Sequence, residues 1–232
     1  MHQRKPSLIE IPEDMPGSRN LRDQIYGQIK RRILSGRIAP GEHLREKALC
    51  EELEVSRTPL REALNRLGNE DLVIFRPHCG YLAAPISAEE ARRLQELRRI
   101  VESKVAALAA VKASEEDIKL FRAAAEMPEI KAGDDASFVA FCQANARFHL
   151  LLAQCVDNHF LEQIVMSSLD QYQRPAYLGI GRVTDHKKPS KCHHDIVDAI
   201  EARDPTKAEV VMCGHVIGGS ERIIAALIEA GY

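Results

Sequence analysis

Apolar residues in the first third of the chain recur with helical spacing. Leu21, Ile25, Ile29 and Ile33 stand four apart and predict one face of a helix. Gly36, Pro40 and Gly41 in "SGRIAPGEHL" then force a turn. A short helix is expected over about Arg45 to Glu54, burying Ala48, Leu49 and Leu53. After the brief "EVS" turn, Leu60, Ala63, Leu64 and Leu67 repeat at i, i+3, i+4 and i+7, the pattern of an amphipathic helix. "LVIFRPHCGYLAAP" reads as two short strands around a Pro77–Gly80 turn. Residues 18–86 are therefore expected to form three helices and a β-hairpin, and residues 1–17, with Pro6, Pro12, Pro16 and Gly17, a mobile arm.

The character changes at Ser87. "SAEE" reads as a capping box from Ser87 to Glu90 that opens a long helix reaching about Lys112. Further helices are expected over about 115–126, 135–155, 158–174, 190–202 and 205–230, with Ser114, Asp135, Asn158, Ser190 and Asp204 as N-caps. "RPAYLGIGRVTDHKKP" reads as one long loop. Residues 87–232 thus form an all-helical, antiparallel second domain of six helices.

Composition agrees with a mainly α protein. Hydrophobic residues make up 45% of the chain, and the aromatic share is 5% with no Trp, which suits an Ala/Leu/Ile-rich helical core. The net charge is −2, with a slight cationic excess confined to the first 86 residues. A nucleic-acid site would therefore be a local patch rather than a polycationic tail. The six cysteines form no C-x-x-C pair and read as reduced thiols of a cytoplasmic protein. The uninterrupted apolar runs are too short to span a bilayer and the N-terminus has no secretory h-region, so no membrane partner is expected.

The short turn between the second and third helices forces a steep crossing, which is helix-turn-helix geometry. Pro59 fits only the first turn of its helix, with Ser56 or Thr58 as the N-cap. Arg57, Arg61 and Asn65 then lie in one outward stripe near the helix start, where a recognition helix enters the major groove of DNA. Arginine grips guanine or phosphate, asparagine pairs with adenine, and the neighbouring Thr58 belongs to the same surface. Arg45, His78 and Gly80 are placed to add backbone or minor-groove contacts. With its hairpin wing, this domain resembles the winged helix-turn-helix of GntR-type transcription regulators, on "LREKALCEELEVSRTPLREALNRLGNEDLV" and "RPHCGYLAAPIS". The resemblance implies DNA contacts from Arg45, Arg57, Arg61 and Gly80, with His78 as a wing contact. Cys50 and Asn69–Glu70–Asp71 depart from the family's usual residues, which bears on packing more than on DNA.

The chain has nine histidines, and three stand in suggestive places. Asn145 and His149 lie four apart on one helical face. His193 and His215 are equally far in sequence from the turn at Asp204, each roughly 16 Å from it, so an antiparallel pair brings them level. His194 would point elsewhere. Three imidazoles and an amide oxygen between helices could bind a divalent metal, zinc first, with nickel or manganese as alternatives. The other reading is a set of hydrogen-bonded core histidines.

This half resembles the FCD effector-binding domain of the FadR branch, and its six helices resemble the VanR subgroup. The resemblance implies that Asn145, His149, His193 and His215 hold the metal. Asn145 stands where many members have Asp, and Cys192 where the family has Glu. It further implies a small organic acid as effector, an inward-facing Arg98 to pair with it, and a homodimer on an operator. The competing role for Arg98 is an i,i+4 ion pair with Glu102. Tyr172 and Arg174 are further candidates to line the effector pocket.

The expectation is thus a ligand-responsive regulator, a repressor that binds a palindromic double-stranded operator as a dimer. The alternative is a metal-dependent hydrolase built on the three histidines. It has no H-E-x-x-H or G-x-S-x-G motif and no carboxylate spaced to act as a base. A third reading is a helical scaffold whose histidines are core residues.

Overall fold

The computed structural model describes residues 21–34, 36–131, 134–180 and 189–232. The arm expected over 1–17 and residues 181–188 of the expected loop lie outside these. The chain divides into two compact units that meet in sequence at Ile86 and Ser87.

In the first unit, α1 (Leu21–Leu34), α2 (Glu46–Leu53) and α3 (Arg57–Gly68) accompany β1 (His43–Leu44), β2 (Val73–Arg76) and β3 (Gly80–Ala83). The expected hairpin is β2–β3, with Arg76 opposite Gly80. The two-residue β1 was not expected; it pairs antiparallel with β3, giving the sheet order β1-β3-β2. So short a strand has no alternation to reveal it, and only β3 beside it makes it a strand. Ile25, Ile29 and Ile33 are buried as predicted, whereas Leu21, in the first turn of α1, is half exposed. In α2, Leu49 is buried but Ala48 is exposed, because so short a helix turns one narrow stripe inward.

A buried polar network ties α1 to the chain just after α3. Lys30 is 1% exposed, and its Nζ donates to the Tyr26 hydroxyl at 2.8 Å and lies 3.2 Å from Glu70 Oε2. The Tyr26 hydroxyl donates to Glu70 at 2.8 Å, and the Arg66 guanidinium lies 3.8 Å from the centre of the Tyr26 ring. Glu70, one of the residues that depart from the family pattern, therefore satisfies a buried lysine.

The second unit contains, among the described residues, the six expected helices: α4 (Ala88–Lys112), α5 (Glu115–Ala124), α6 (Asp135–Cys155), α7 (His159–Ile180), α8 (Pro189–Glu201) and α9 (Pro205–Glu229). Ser87 Oγ accepts from the Glu90 backbone N–H at 3.0 Å, but among the described residues it is Ser114 and Asp117 that form a complete, reciprocal capping box. Asn158 and Asp204 cap α7 and α9 as expected. The cap of α6 is Asp134 rather than Asp135, and α8 already begins at Pro189, ahead of Ser190. The largest departure is α7. It does not end at Arg174 but runs through Pro175 to Ile180, where burial of Pro175, Ala176 and Leu178 outweighs the missing proline N–H.

Alanines 106, 109 and 110 of α4 are fully buried, and α4 packs most extensively on α9. Phe148, Leu152, Leu169, Ile196, Ile200 and Met212 complete a core drawn from α6, α7, α8 and α9. As a whole helix, α9 is long and apolar enough to cross a bilayer, although its uninterrupted apolar runs are short. Here Ala208, Met212, Val216, Ile223 and Leu227 are buried within this core.

Candidate nucleic-acid interface and metal centre

The turn between α2 and α3 is set by Glu54, which adopts a left-handed conformation (φ 54°) and donates its N–H to the Cys50 carbonyl. Ser56 is the N-cap residue of α3, and Pro59 falls in its first turn. Leu60, Ala63, Leu64 and Leu67 are buried, which leaves Arg57, Thr58, Arg61 and Asn65 exposed. The Arg61 guanidinium leans on α2, with Nε 2.7 Å from Glu46 Oε2, whereas Arg57 has no ion-pair partner among the described residues. Asn65 Oδ1 accepts from the Tyr81 hydroxyl at 2.8 Å, so α3 is pinned to β3 and Asn65 keeps its amide nitrogen for an outside acceptor. Arg45 is exposed immediately before α2. His78 sits at the hairpin tip with φ 66°, and Gly80 follows with φ 79°. A β-carbon at Gly80 would meet nothing within 4 Å, so the backbone conformation alone favours glycine there.

In the second unit, His149 from α6, His193 from α8 and His215 from α9 come together. One ring nitrogen of each lies within 4.8 Å of the others. His149 Nε2 and His215 Nε2 are 3.2 Å apart, close to the separation of about 3.0–3.4 Å between neighbouring nitrogens that each bind a metal at about 2.0–2.1 Å. His149 and His193 are almost wholly buried, and the Phe148 and His193 rings meet edge to face at 4.5 Å between centroids. His194 faces away, with Nε2 3.1 Å from Glu126. The donor set therefore fits a metal ion. Burial, together with the neighbouring His193 and His149, holds the His215 pKa well below its ordinary value, so the ring is neutral near neutral pH and one nitrogen offers its lone pair.

Two of these rings, His193 and His215, border a cavity of about 290 Å³. His193, His215, Asn145, Arg98 and Tyr172 line it, and so do residues not singled out from sequence, among them Gln173, Asp195 and Arg222. Cys192 lines the cavity too, but its sulfur is not part of the ligand cluster. Arg174 does not line it. Two residues along a helix are about 200° apart, so with Tyr172 facing the cavity Arg174 turns into the protein, where burial lowers its pKa to about 10.

The i,i+4 ion pair between Arg98 and Glu102 is formed, with Nε and Oε1 2.5 Å apart, both residues buried, and the guanidinium 3.9 Å over the Tyr172 ring. Glu102 also reaches the histidine cluster, its Oε2 lying 2.5 Å from His149 Nδ1. Burial alone would raise the Glu102 carboxyl, but Arg98 and His149 outweigh it and bring the pKa down to about 2. The i,i+4 spacing points to the Arg98 pair, but nothing local in the sequence shows that Glu102 meets His149.

A model of the gntR family of bacterial regulatory proteins matches residues 21–82, and a model of the FCD domain matches residues 93–218. The chain belongs to the GntR family and carries an FCD domain. It is similar to the HTH-type transcriptional repressor RspR of Escherichia coli (strain K12), with 29% identity over 207 residues that cover 86% of this chain and 87% of that one. It is 30% identical to the HTH-type transcriptional regulator LutR of Bacillus subtilis (strain 168), over 79% of this chain and 92% of LutR. The solved structure of E. coli McbR/YncC shares the fold with a TM-score of 0.66 and 18% identity, covering 93% of this chain and all of that one. The matched families and relatives are transcription regulators, not enzymes, and none supports the hydrolase alternative. GntR regulators bind DNA operators and respond to small-molecule effectors, and FCD domains commonly bind metal. For this GntR member, the three-histidine cluster is the place where a metal would sit.

Proposed function

We propose that this GntR regulator is a cytoplasmic repressor that binds a palindromic operator as a homodimer and leaves it when a small carboxylate occupies the FCD cavity. The observation that carries this reading is the convergence of three imidazoles from α6, α8 and α9, two of which, His193 and His215, border a cavity of about 290 Å³. His149, His193, His215 and the Asn145 amide oxygen hold a divalent ion, most naturally zinc. Bound there, the ion supplies a Lewis-acidic point of attachment for a carboxylate. Arg222 and Tyr172 face the same cavity, and Arg222, with no ion-pair partner among the described residues, supplies charge for the anion. Arg98 contributes from the cavity wall while anchored to Glu102.

On the DNA side, Arg57, Thr58, Arg61 and Asn65 face the major groove, Arg45 the phosphates, and His78 and Gly80 the minor groove. Residues 18–86 bind DNA, and residues 87–232 bind effector and dimerise. A dimer is supported by α4, where Leu97, Ile100, Leu108 and Val111 are exposed along one stripe. The relative named as a repressor supports the sign of regulation.

Two measurements test this reading. Metal analysis of untagged protein should find one ion per chain, lost in His149→Ala and His193→Ala. Selection from fragmented genomic DNA should recover one two-fold symmetric sequence, released by a carboxylate that binds the wild type and not His149→Ala. Recovery of no discrete sequence overturns the regulator model, and metal-free wild type overturns the metal site alone.

A further inference from the structure

Behind the histidine cluster lies a carboxylate that the metal reading does not use. Glu102 projects from α4 and is 2% exposed. One of its oxygens is 2.5 Å from Nδ1 of His149 and the other is 2.5 Å from Nε of Arg98. On the far side of the same imidazole, Nε2 faces His215 at 3.2 Å. The two nitrogens of His149 thus meet opposite environments, an anion on one side and the ligand cluster on the other.

Neutral imidazole carries a single N–H, and the nitrogen that faces a carboxylate keeps it. The other nitrogen then presents its lone pair. A carboxylate this deeply buried needs a counter-charge, and Arg98 one turn earlier on the same helix provides it. Stacking of Arg98 on Tyr172 fixes the guanidinium in turn.

We propose that Glu102, held by Arg98, is the positioning residue of His149: it locks the Nδ1–H tautomer and the ring orientation that turn the Nε2 lone pair toward His193 and His215. The inference extends the metal-site reading, but its central claim concerns a tautomer and is measurable without metal. It also gives Arg98 a role distinct from clamping the effector.

The test uses full-length protein in two states. In the metal-free wild type, nitrogen-15 NMR of the imidazoles, assigned with His149→Ala, should show His149 protonated on Nδ1. Glu102→Ala leaves Arg98 buried and unpaired, so it is made together with Arg98→Met. This pair should populate the Nε2–H form and weaken Zn²⁺ binding, measured by chelator competition, by about 10–100-fold. In the same Arg98→Met background, Glu102→Gln, whose amide oxygen can still accept from Nδ1, should retain the tautomer and recover part of the affinity. A wild-type His149 protonated on Nε2, or a folded double variant with wild-type tautomer and Zn²⁺ affinity, overturns the proposal. If the wild type binds no Zn²⁺, the metal reading fails, and the tautomer measurement still decides the role of Glu102.

Discussion

His149 Nε2 and His215 Nε2 stand 3.2 Å apart although 66 residues separate them in the chain. Two imidazoles this close, one fully and one half buried, leave their facing nitrogens to a single shared cation.

Stability should fall with pH in two separate windows. The His215 pKa is depressed by burial first and by His193 and His149 next, so below about pH 6.5 the unfolded chain binds a proton that the folded protein refuses. Glu102, held at about 2, contributes stability above its ordinary range near 4.3 that is lost as pH falls toward 2. Thermal melts of metal-free protein should lose a few degrees between about pH 7 and about pH 5, and His215→Asn should flatten that limb. A melting temperature that is constant across this range contradicts the assignment.

Asn145→Asp should tighten metal binding. A carboxylate adds a charged oxygen donor where the wild type offers a neutral amide on the cavity wall. We expect at least about tenfold higher Zn²⁺ affinity, ~1.4 kcal/mol, by chelator competition. The added negative charge should weaken carboxylate binding at the same time. Unchanged Zn²⁺ affinity would remove Asn145 from the ligand set.

Arg57→Ala and Arg61→Ala should each weaken operator binding by about 1–3 kcal/mol without unfolding the protein, since both side chains are exposed. If Arg57 contacts phosphate, its loss lowers the slope of log affinity against log salt by about one; if it reads a base, the slope holds and one operator position relaxes. Arg61 has to leave Glu46 to reach DNA, so Glu46→Gln should strengthen binding. Equal affinity of both arginine variants and wild type would exclude α3 as the reading helix.

Charge placed on the α4 stripe should separate subunits. Ile100 is 53% exposed and faces the same side as Leu97 and Val111. Ile100→Glu is expected to leave the monomer's melting little changed and to shift the sedimentation coefficient from dimer to monomer. Operator affinity should drop with it, because the two half-sites then bind independently. A variant that remains dimeric places the interface elsewhere.

Local rules were enough for the α2–α3 turn, the buried set Leu60, Ala63, Leu64 and Leu67, and the β2–β3 hairpin, because their signals are periodicity, proline position and turn chemistry within a few residues. The level placement of His193 and His215 was also legible, since the rise of an α-helix measures equal distances from the Asp204 turn. Other features depend on neighbours remote in sequence. Helix α7 continues past Pro175 because tertiary burial outweighs a local helix breaker, and this turns Arg174 away from the cavity that Tyr172 lines. Strand β1 exists only because β3 lies beside it. Glu102 meets His149 only when α4 and α6 pack together, and a contact across packed helices leaves no periodic trace in either segment. Residue identity and helical spacing mark the side chains able to do chemistry, whereas the packing of α4 on α6 sets which nitrogen of His149 faces a carboxylate and which faces the ligand cluster.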